Sequence, residues 1–231
     1  MNEATRSYRF AQWLARTAWR VFARLEVRGR EHVPTRGPFL LLCNHQSNLD
    51  PILIQGVTPR PVHAMAKSTQ FAVPIAGRII QTLLSFPVRR YQVDPQAVRM
   101  SLRFLRQGRG VCIYAEGERS WDGRLQKPRR GTIRLALKAG VPVIPCVITG
   151  SYDAWPRWDH RIRRHPVRIT FGPPIPLPHL DRRADREAFL HEATERVVDT
   201  LSRMVLASAE DLPSPASSAT GRTQASVRGR P

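Results

Sequence analysis

Acidic side chains are scarce in this chain of 231 residues, which has 18 aspartates and glutamates against 37 lysines and arginines. The resulting formal charge of +19 favours polyanionic partners, either nucleic acid or the anionic leaflet of a membrane. No helix-turn-helix, zinc-finger or aromatic-basic RNA-binding motif accompanies the arginines. The charge therefore favours an anionic membrane surface over nucleic acid.

Cysteine is also rare, and the three cysteines, Cys43, Cys112 and Cys146, each lie within an apolar run. An odd number without paired spacing provides neither a disulfide framework nor a metal site. The sequence also lacks a cysteine signature with a paired histidine, which would indicate a catalytic thiol. The sequence therefore predicts buried, reduced thiols in a cytosolic protein, with no metal and no cofactor.

A long hydrophobic run is missing from the N-terminal stretch, residues 8–27, where four arginines interrupt the apolar residues. These charges exclude a membrane span of ~20 apolar residues and leave no uninterrupted core for a secretory signal. At about 100° per residue, the arginines gather on one side of a helix and the apolar residues on the other. The arginines are Arg9, Arg16, Arg20 and Arg24, and the apolar residues are Ala11, Leu14, Ala18, Val21, Phe22 and Leu25.

An amphipathic helix of this kind has two interpretations. Lying along a bilayer, it would use Trp13 and Trp19 as interfacial anchors. Packed on the rest of the protein, it would be an ordinary surface helix with its apolar side buried. Periodicity leaves both interpretations open, and we assign residues 1–28 to an amphipathic membrane-interface helix.

Length and a hydrophobic content of 42 % predict one sizeable core with appendages. Apolar periodicity predicts strands near 39–43, 61–66, 111–115, 142–148 and 167–171, and helices near 49–56, 71–84, 95–107, 131–139 and 184–206. This succession predicts an α/β fold, a three-layer domain over residues 29–207 with a mixed central sheet flanked by helices. Residues 208–231 have too little apolar surface to fold and are predicted to form a disordered tail.

A histidine and an acid follow the first of these strands, in the sequence from Asn44 to Asp50. In α/β proteins, ligand-binding and catalytic residues commonly lie in the loops that follow the carboxyl ends of buried strands. His45 can lie in the loop while Asp50 falls in the first turn of the next helix, so that the carboxylate holds one imidazole nitrogen. The other nitrogen is then a base facing the cleft. The structural alternative is that Ser47 or Asn48 caps the helix, with Asp50 favoured there by the helix dipole.

Three further segments are also apolar runs, and two of them are followed directly by charged residues. The apolar run from Gly110 to Ala115 ends in Glu116-Gly117-Glu118-Arg119-Ser120, and Phe86-Pro87-Val88 delivers Arg89 and Arg90. Residues 141–147 are a proline-punctuated apolar strand. In order and spacing, the four segments resemble the glycerolipid acyltransferase family, whose members acylate lysophosphatidic acid and related acceptors. The resemblance covers about residues 27–175.

The match differs from segment to segment. Residues 44–50 match the first family motif fully, and in the second motif Arg90, not Arg89, aligns with the basic residue. Glu118 stands where threonine is usual in the third motif, and Arg129 replaces the usual lysine of a segment spanning 123–131. These departures concern details of acceptor binding and not the reaction class.

Acyl transfer from a thioester to an alcohol needs the hydroxyl proton removed as the oxygen attacks, and His45 is the candidate base. Asp50 would fix its tautomer and favour the imidazolium that forms, as in a Ser-His-Asp triad in which the substrate hydroxyl replaces serine. The pattern Gly-x-Ser-x-Gly is absent, which favours direct transfer without an acyl-enzyme.

The acceptor's phosphate requires cations, and the planar fork of arginine makes two hydrogen bonds to phosphate oxygens. We assign this role to Arg90 and Arg119, as the resemblance also implies, the alternative being a solvated basic face. Glu116 would accept a hydrogen bond from a glycerol hydroxyl or orient an arginine. Gly117 would let the backbone approach the ligand closely.

These features together predict a peripheral or monotopic O-acyltransferase at the cytoplasmic face of the cell membrane, converting lysophosphatidic acid to phosphatidic acid. Acyl-CoA and acyl carrier protein are both candidate donors, and the acidic carrier protein suits a basic enzyme. The alternatives are transfer to another lysolipid, a hydrolase whose His-Asp pair activates water, and a non-catalytic binder of anionic membranes or nucleic acid.

Overall fold

The computed structural model describes residues 8–10, 12–13, 16–17, 24–92, 94–177 and 186–210. The strands are β1 (Glu26–Arg28), β2 (Phe39–Cys43), β3 (Val62–Lys67), β4 (Phe86–Val88), β5 (Gly110–Tyr114), β6 (Val143–Thr149) and β7 (Arg168–Phe171). The helices are α1 (Asp50–Val57), α2 (Pro74–Thr82), α3 (Pro95–Arg106), α4 (Arg130–Ala139), α5 (Ser151–Ala154) and α6 (Arg186–Ala209). Two short 3-10 helices cover Arg30–His32 and Ser68–Ala72.

The seven strands form one sheet in the order β1-β7-β6-β2-β5-β3-β4. β2 pairs in parallel with both β5 and β6, and β3 pairs in parallel with β5 and β4. β6 and β7 are antiparallel, which confirms the predicted mixed sheet. Because β2 to β6 all run in one direction, the loops that follow them meet at one edge of the sheet.

The central strand β2 is buried along its whole length, which explains its uninterrupted apolar sequence. Phe39, Leu41 and Cys43 pack on one face of the sheet with α1, because successive side chains of a strand alternate. Leu40 and Leu42 pack on the other face with α3, α4 and α6. The predicted three-layer α/β architecture is therefore confirmed.

The helix predicted over residues 8–27 does not reach its predicted end. Arg24 has a φ of 44° and Glu26–Arg28 is a strand, so the helix predicted over residues 8–27 ends before Arg24. β1 is stabilised by long-range pairing with β7, which local periodicity does not reveal. Several positions used for that prediction lie outside the described residues: Ala11, Leu14, Ala18, Trp19, Arg20, Val21 and Phe22.

The last helix, α6, extends to Ala209, so the predicted tail cannot begin at residue 208. Residues 211–231, to which most of that prediction applies, lie outside the described part of the chain. The short elements β4 and α5 were also not predicted, because three or four residues carry too little periodicity to identify them.

The described N-terminal helical residues both pack on the domain and expose aromatic rings. Tyr8 is buried, and its hydroxyl donates to Gln55 Oε1 at 2.7 Å. The Gln12 amide donates to the Gln55 carbonyl at 2.9 Å, whereas Phe10 and Trp13 face solvent. Among the described residues, no helix has the length and apolar character to traverse a bilayer.

Candidate active site

The loops after four parallel strands meet at the carboxyl edge of the sheet. They are residues 44–49 after β2, 89–92 after β4, 115–120 after β5 and 150–157 after β6. Ligands of α/β proteins bind in the crevice outside this edge. All six residues that the sequence selected belong to these loops or begin the helix that follows.

His45 and Asp50 are in contact, as their spacing predicts. His45 Nδ1 lies 2.8 Å from Asp50 Oδ2, and both side chains are buried. The same carboxylate oxygen accepts the backbone N–H groups of Gln46 at 2.7 Å and Ser47 at 2.8 Å. Three donors on one oxygen fix the carboxylate, and the carboxylate fixes the imidazole with Nδ1–H as the donor. His45 Nε2 has no hydrogen-bond partner among the described residues and is available to a substrate.

The histidine loop is tied to both neighbouring strands. The Asn44 amide donates to the Ile148 carbonyl at 2.9 Å and accepts the Ile148 N–H at 2.7 Å, which fixes the end of β2 to β6. The His45 carbonyl accepts the Ser120 N–H at 2.7 Å, and Ser47 Oγ donates to the Trp155 carbonyl at 2.7 Å. These bonds hold the imidazole on a rigid frame and not on a free loop.

The ring of Tyr114, the last residue of β5, stacks on the imidazole of His45 with a centroid distance of 3.9 Å. Burial lowers the pKa of His45 below its ordinary value, and the Asp50 carboxylate opposes this shift only in part. Arg90 and Arg119 lower the same pKa further through their positive charge. His45 is therefore neutral at neutral pH, which is the state that a general base requires.

Glu116 is a buried acid directly beside the histidine. Its Oε1 accepts the His45 backbone N–H at a long 3.4 Å, and its Oε2 has no partner in the described structure. Burial raises the pKa of Glu116 to about 8. The carboxyl group forms no hydrogen bond with a described arginine, so of its two predicted uses only the bond to a substrate hydroxyl fits this geometry.

Gly117 has a φ of 71°, a conformation that favours glycine. A Cβ at this position would lie 2.5 Å from Cδ of Arg129, whose Nε donates to the Glu116 carbonyl at 3.0 Å. The Arg129 side chain therefore lies against the position that a Cβ of residue 117 would take. Glycine is required here so that Arg129 can lie across the loop.

Arg90 and Arg119 form a cationic cluster with Arg157, a residue that the sequence prediction missed. Burial lowers the pKa of both Arg90 and Arg119, and the positive charge of Arg157 also acts to lower both. Nη1 of Arg119 is buried without a partner in the described structure, and Arg90 forms no side-chain hydrogen bond there. Two guanidinium groups with unused donors lie in the electrostatic environment of His45.

Glu118 forms hydrogen bonds with two other arginines of the site, Arg129 and Arg157. Its carboxylate accepts hydrogen bonds from the Tyr91 hydroxyl at 3.0 Å, Arg129 at 2.9 Å and Arg157 at 3.4 Å. Burial acts to raise the pKa of Glu118, but these donors and charges lower it overall. Arg129 and Arg157 are thereby occupied, whereas Arg90 and Arg119 keep their donors for a ligand.

A cleft of about 760 Å³ opens beside this cluster. Its apolar wall is formed by Met65, Val88, Ala97, Val98, Ile113 and Leu135, and its basic rim by Arg89, Arg90, Arg129, Arg130, Arg134 and Lys138. Gly117 and Tyr114 also line the cleft, and the ring of Tyr114 stacks on His45. A cleft with an apolar wall and a cationic rim fits an amphiphile that has an anionic head.

The acyltransferase family model matches residues 24–149, which is more than half of the chain. The chain belongs to the acyltransferase family. The matched range contains the His45–Asp50 loop, Arg90 and the Glu116–Arg119 segment, and it confirms the resemblance of the motif segments. Arg157 lies outside this range.

Several acyltransferases are similar to this member of the family. It is 28 % identical over 156 residues to a 1-acyl-sn-glycerol-3-phosphate acyltransferase from Limnanthes alba, which covers 65 % of this chain and 54 % of the relative. It is 30 % identical over 166 residues to the human 1-acyl-sn-glycerol-3-phosphate acyltransferase alpha, with 68 % and 56 % of the two chains covered. The chain thus spans about half the length of these curated relatives.

The fold of this acyltransferase-family member has a solved counterpart in the 1-acyl-sn-glycerophosphate (LPA) acyltransferase PlsC from Thermotoga maritima. The TM-score is 0.70, and the superposition covers 87 % of this chain and 79 % of the other. At 23 % sequence identity, the likeness concerns the fold.

Arg157 and Tyr114 are the site residues that the sequence did not identify in this acyltransferase-family member. Arg157 follows a helix of four residues, and no local pattern distinguishes it from the other arginines. Tyr114 is read as a core residue of β5, although its position directly before the Glu116 motif could have drawn attention to it. Within the described ranges, no group of three or more His, Cys, Asp or Glu side chains is arranged to hold a metal ion.

The cysteines of this acyltransferase-family member are buried and free, as predicted. Burial raises the pKa of the Cys43 thiol well above its ordinary value, so the thiolate is disfavoured. Cys43 Sγ lies 3.7 Å from Cys112 Sγ in the core. These thiols pack as small apolar groups and are not placed as nucleophiles.

Proposed function

We propose that this chain is an O-acyltransferase that moves a fatty acyl group from a thioester to the free hydroxyl of lysophosphatidic acid, giving phosphatidic acid. The observation that carries the proposal is a neutral His45, held by Asp50, beside two arginines with unused donors. The pair supplies a base for a hydroxyl group, and the arginines supply cations for a phosphate. Family membership and the names of the similar acyltransferases support the same substrate class.

In the proposed reaction, His45 Nε2 takes the proton of the acceptor hydroxyl as its oxygen attacks the thioester carbonyl carbon. The tetrahedral intermediate collapses with cleavage of the C–S bond, and the imidazolium returns the proton to the leaving thiolate. Asp50 stabilises the imidazolium through Nδ1. No protein nucleophile takes part, and the enzyme regains its starting protonation state after each turnover.

Arg90 and Arg119 bind the acceptor phosphate in this proposal, because charged hydrogen bonds to phosphate are strong and the described structure leaves their donors free. Glu116, with a pKa of about 8, is largely protonated at neutral pH and presents Oε2 to an oxygen of the glycerol backbone. Gly117 keeps the loop clear for Arg129, which closes the side of the site.

The donor is acyl-CoA or acyl carrier protein, and the acyl chain of either substrate suits the apolar wall of the cleft. We propose that the enzyme acts on an anionic membrane surface, at the cytoplasmic face of the cell membrane, and the net charge of +19 supports this location. The attachment is proposed to be peripheral or monotopic.

Substitution of the dyad tests the chemistry. His45→Ala should lower kcat by about 10³–10⁴-fold, and Asp50→Asn by about 10²–10⁴-fold, because the tautomer and the charge of the imidazole are both disturbed. His191→Ala, on the exposed side of α6, is the matched control and should leave kcat unchanged. Activity of His45→Ala within about tenfold of wild type would refute the mechanism.

Thiol release and lipid product are measured in parallel. The protein's own thiols are buried and will not react with the thiol reagent on the assay timescale. An O-acyltransferase releases thiol only when the lysolipid is present and forms one diacyl product per thiol. Release that is independent of the acceptor, with free fatty acid as product, would instead identify the hydrolase that uses the same His-Asp pair.

A further inference from the structure

Helix α2 exposes two of its isoleucines to solvent, contrary to the usual arrangement of an amphipathic helix. Ile75 is 77 % exposed and Ile79 is 49 % exposed, and Val73, which precedes the helix, is also exposed. Exposed single apolar residues are ordinary, but three within seven positions form a patch. We call Val73, Ile75 and Ile79 the α2 face.

The orientation of α2 is fixed by its buried side. A Cβ on Gly77 would lie 2.5 Å from the carbonyl oxygen of Phe71, so this side of the helix is pressed against the preceding 3-10 helix. At about 100° per residue, Ile75 and Ile79 lie about 160° around the helix from Gly77. The α2 face therefore points outward because the opposite side of the helix is packed at Gly77, and a small rotation of the helix cannot bury it.

The surroundings of the α2 face are basic and lack acids. Residues 51–93 contain no aspartate or glutamate. Arg78 within α2 and Lys67 at the end of β3 are exposed, and neither has an acidic partner among the described residues. An apolar patch rimmed by cations is complementary to a bilayer that has anionic headgroups.

The segment that carries the α2 face connects two strands that line the cleft. α2 connects β3 to β4, and both strands contribute to the wall of the cleft through Met65 and Val88. The N-terminal aromatic residues belong to the same region, because Gln55 bonds both to Tyr8 and to the Leu83 carbonyl that follows α2. Phe10 and Trp13, whose rings are 6.0 Å apart, add exposed aromatic surface there.

We infer that the α2 face is a bilayer-contact surface, which inserts Ile75 and Ile79 among the lipids of an anionic membrane at the mouth of the cleft. The inference rests on the proposed function for its choice of partner, because a lipid acceptor is delivered from a bilayer. It adds a second point of attachment to the N-terminal segment and orients the cleft toward the membrane.

The test is sedimentation with vesicles of equal parts phosphatidylcholine and phosphatidylglycerol. The double variant Ile75→Ser/Ile79→Ser should bind these vesicles about tenfold or more weakly than wild type, because each isoleucine loses its transfer into the apolar phase. Leu206→Ser on α6 is the matched control, since Leu206 is 67 % exposed away from this region, and should bind as wild type does. Acyl transfer to a short-chain acceptor dissolved as monomers is measured for all three proteins.

Loss of vesicle binding by the double variant supports the inference, whether or not the wild type transfers acyl groups in the soluble assay. Absence of soluble activity in every protein counts against the proposed function alone. Vesicle binding equal to wild type by the double variant would overturn the inference. So would a dimer of the wild type that the double variant loses while its vesicle binding is unchanged, since the occupant would then be a second copy.

A second measurement does not depend on the stability of the double variant. Because the native thiols are buried, Ile79→Cys provides an accessible position for a polarity-sensitive fluorophore. Its emission should shift to the blue on addition of the vesicles, whereas the same label at Leu206→Cys should not respond. An unchanged spectrum at Ile79→Cys under conditions where the protein sediments would overturn the inference.

Discussion

Glu116 is a carboxylic acid that the fold shields from water. Burying an ionised carboxylate is costly, and the raised pKa of about 8 expresses this cost. Its neutral form tolerates this burial, and its Oε2 has no hydrogen-bond partner in the described structure. Its ionisation therefore couples folding to pH in a way that an exposed glutamate would not.

Stability should depend on pH through this group. A carboxyl group whose folded-state pKa exceeds the unfolded value contributes stability that is full below about pH 4.5 and is lost as pH rises through about 8. The loss amounts to at most about 1.4 kcal/mol of unfolding free energy per pH unit in that interval. Glu116→Gln removes the ionisation, so its melting temperature relative to wild type should rise from about pH 5 to about pH 9.

Thermal unfolding monitored by circular dichroism at both pH values measures this difference. Glu195→Gln, an exposed glutamate of α6, is the control and should follow wild type at each pH. A difference between Glu116→Gln and wild type that stays constant with pH would mean that Glu116 ionises normally.

Substitutions of the three arginines in the cationic cluster should differ in their kinetic effect. Arg90→Ala and Arg119→Ala should raise the acceptor KM by an amount equivalent to roughly 1.5–3 kcal/mol per lost charged hydrogen bond. Arg157→Ala should raise it less, because Nη1 of Arg157 is already bonded to the Arg119 carbonyl at 2.8 Å and to Glu118. Steady-state kinetics with lysophosphatidic acid and with a phosphate-free monoacylglycerol separates phosphate binding from other effects.

Arg203→Ala, on the exposed side of α6, serves as the control for loss of a positive charge. KM values for lysophosphatidic acid that are unchanged in both Arg90→Ala and Arg119→Ala would place the phosphate elsewhere.

At the scale of elements, one buried amide connects four segments of the chain. Gln55 in α1 accepts the Tyr8 hydroxyl and donates to the Val62 carbonyl at 2.7 Å and the Leu83 carbonyl at 2.8 Å. It thus joins the N-terminal helical segment, α1, the start of β3 and the residue after α2. A buried polar side chain whose bonds are all made holds such segments in one arrangement.

Gln55→Leu should destabilise the protein by about 2 kcal/mol or more, because the buried Val62 and Leu83 carbonyls lose the Gln55 donor at about 1–3 kcal/mol each. Urea unfolding gives the free energy, with Gln70→Leu as an exposed control expected to stay within about 0.5 kcal/mol of wild type. A loss below about 1 kcal/mol for Gln55→Leu would show that water replaces these bonds.

At the scale of the whole molecule, the charge of +19 and the apolar surface act together. Coulombic attraction to an anionic surface weakens as salt shortens the Debye length, whereas apolar insertion does not. The two contributions can therefore be separated by ionic strength.

Binding of the full chain to anionic vesicles should fall as salt is raised and then level off above zero, and neutral vesicles should bind less throughout. Vesicle sedimentation across a salt series, with single- and double-stranded DNA in matched filter-binding assays, measures both partners. Vesicle binding that vanishes at high salt would show that apolar insertion does not contribute to the attachment. DNA binding stronger than vesicle binding, with a steep salt slope, would favour the nucleic-acid alternative.

The sequence by itself determined the features that depend on neighbouring residues. β2, β5 and β6 were predicted close to their observed bounds because each is a short, strongly apolar run, and β3 and β7 because apolar and polar residues alternate within them. The contact between His45 and Asp50 also follows from local spacing, since a strand exit and one helical turn bring the two side chains together. The buried state of the cysteines follows from the same apolar runs.

Only the tertiary structure decided which loops share the site. Arg157 reaches Glu118 and the Arg119 carbonyl because β6 and β5 both flank β2, a relation that lies in the strand order and not in any window of sequence. β1 exists only through its pairing with β7, and the stacking of Tyr114 on His45 only through the register of β5 against β2. Local periodicity encodes the burial of a residue, whereas the identity of its neighbours is set by the long-range pairing of the sheet.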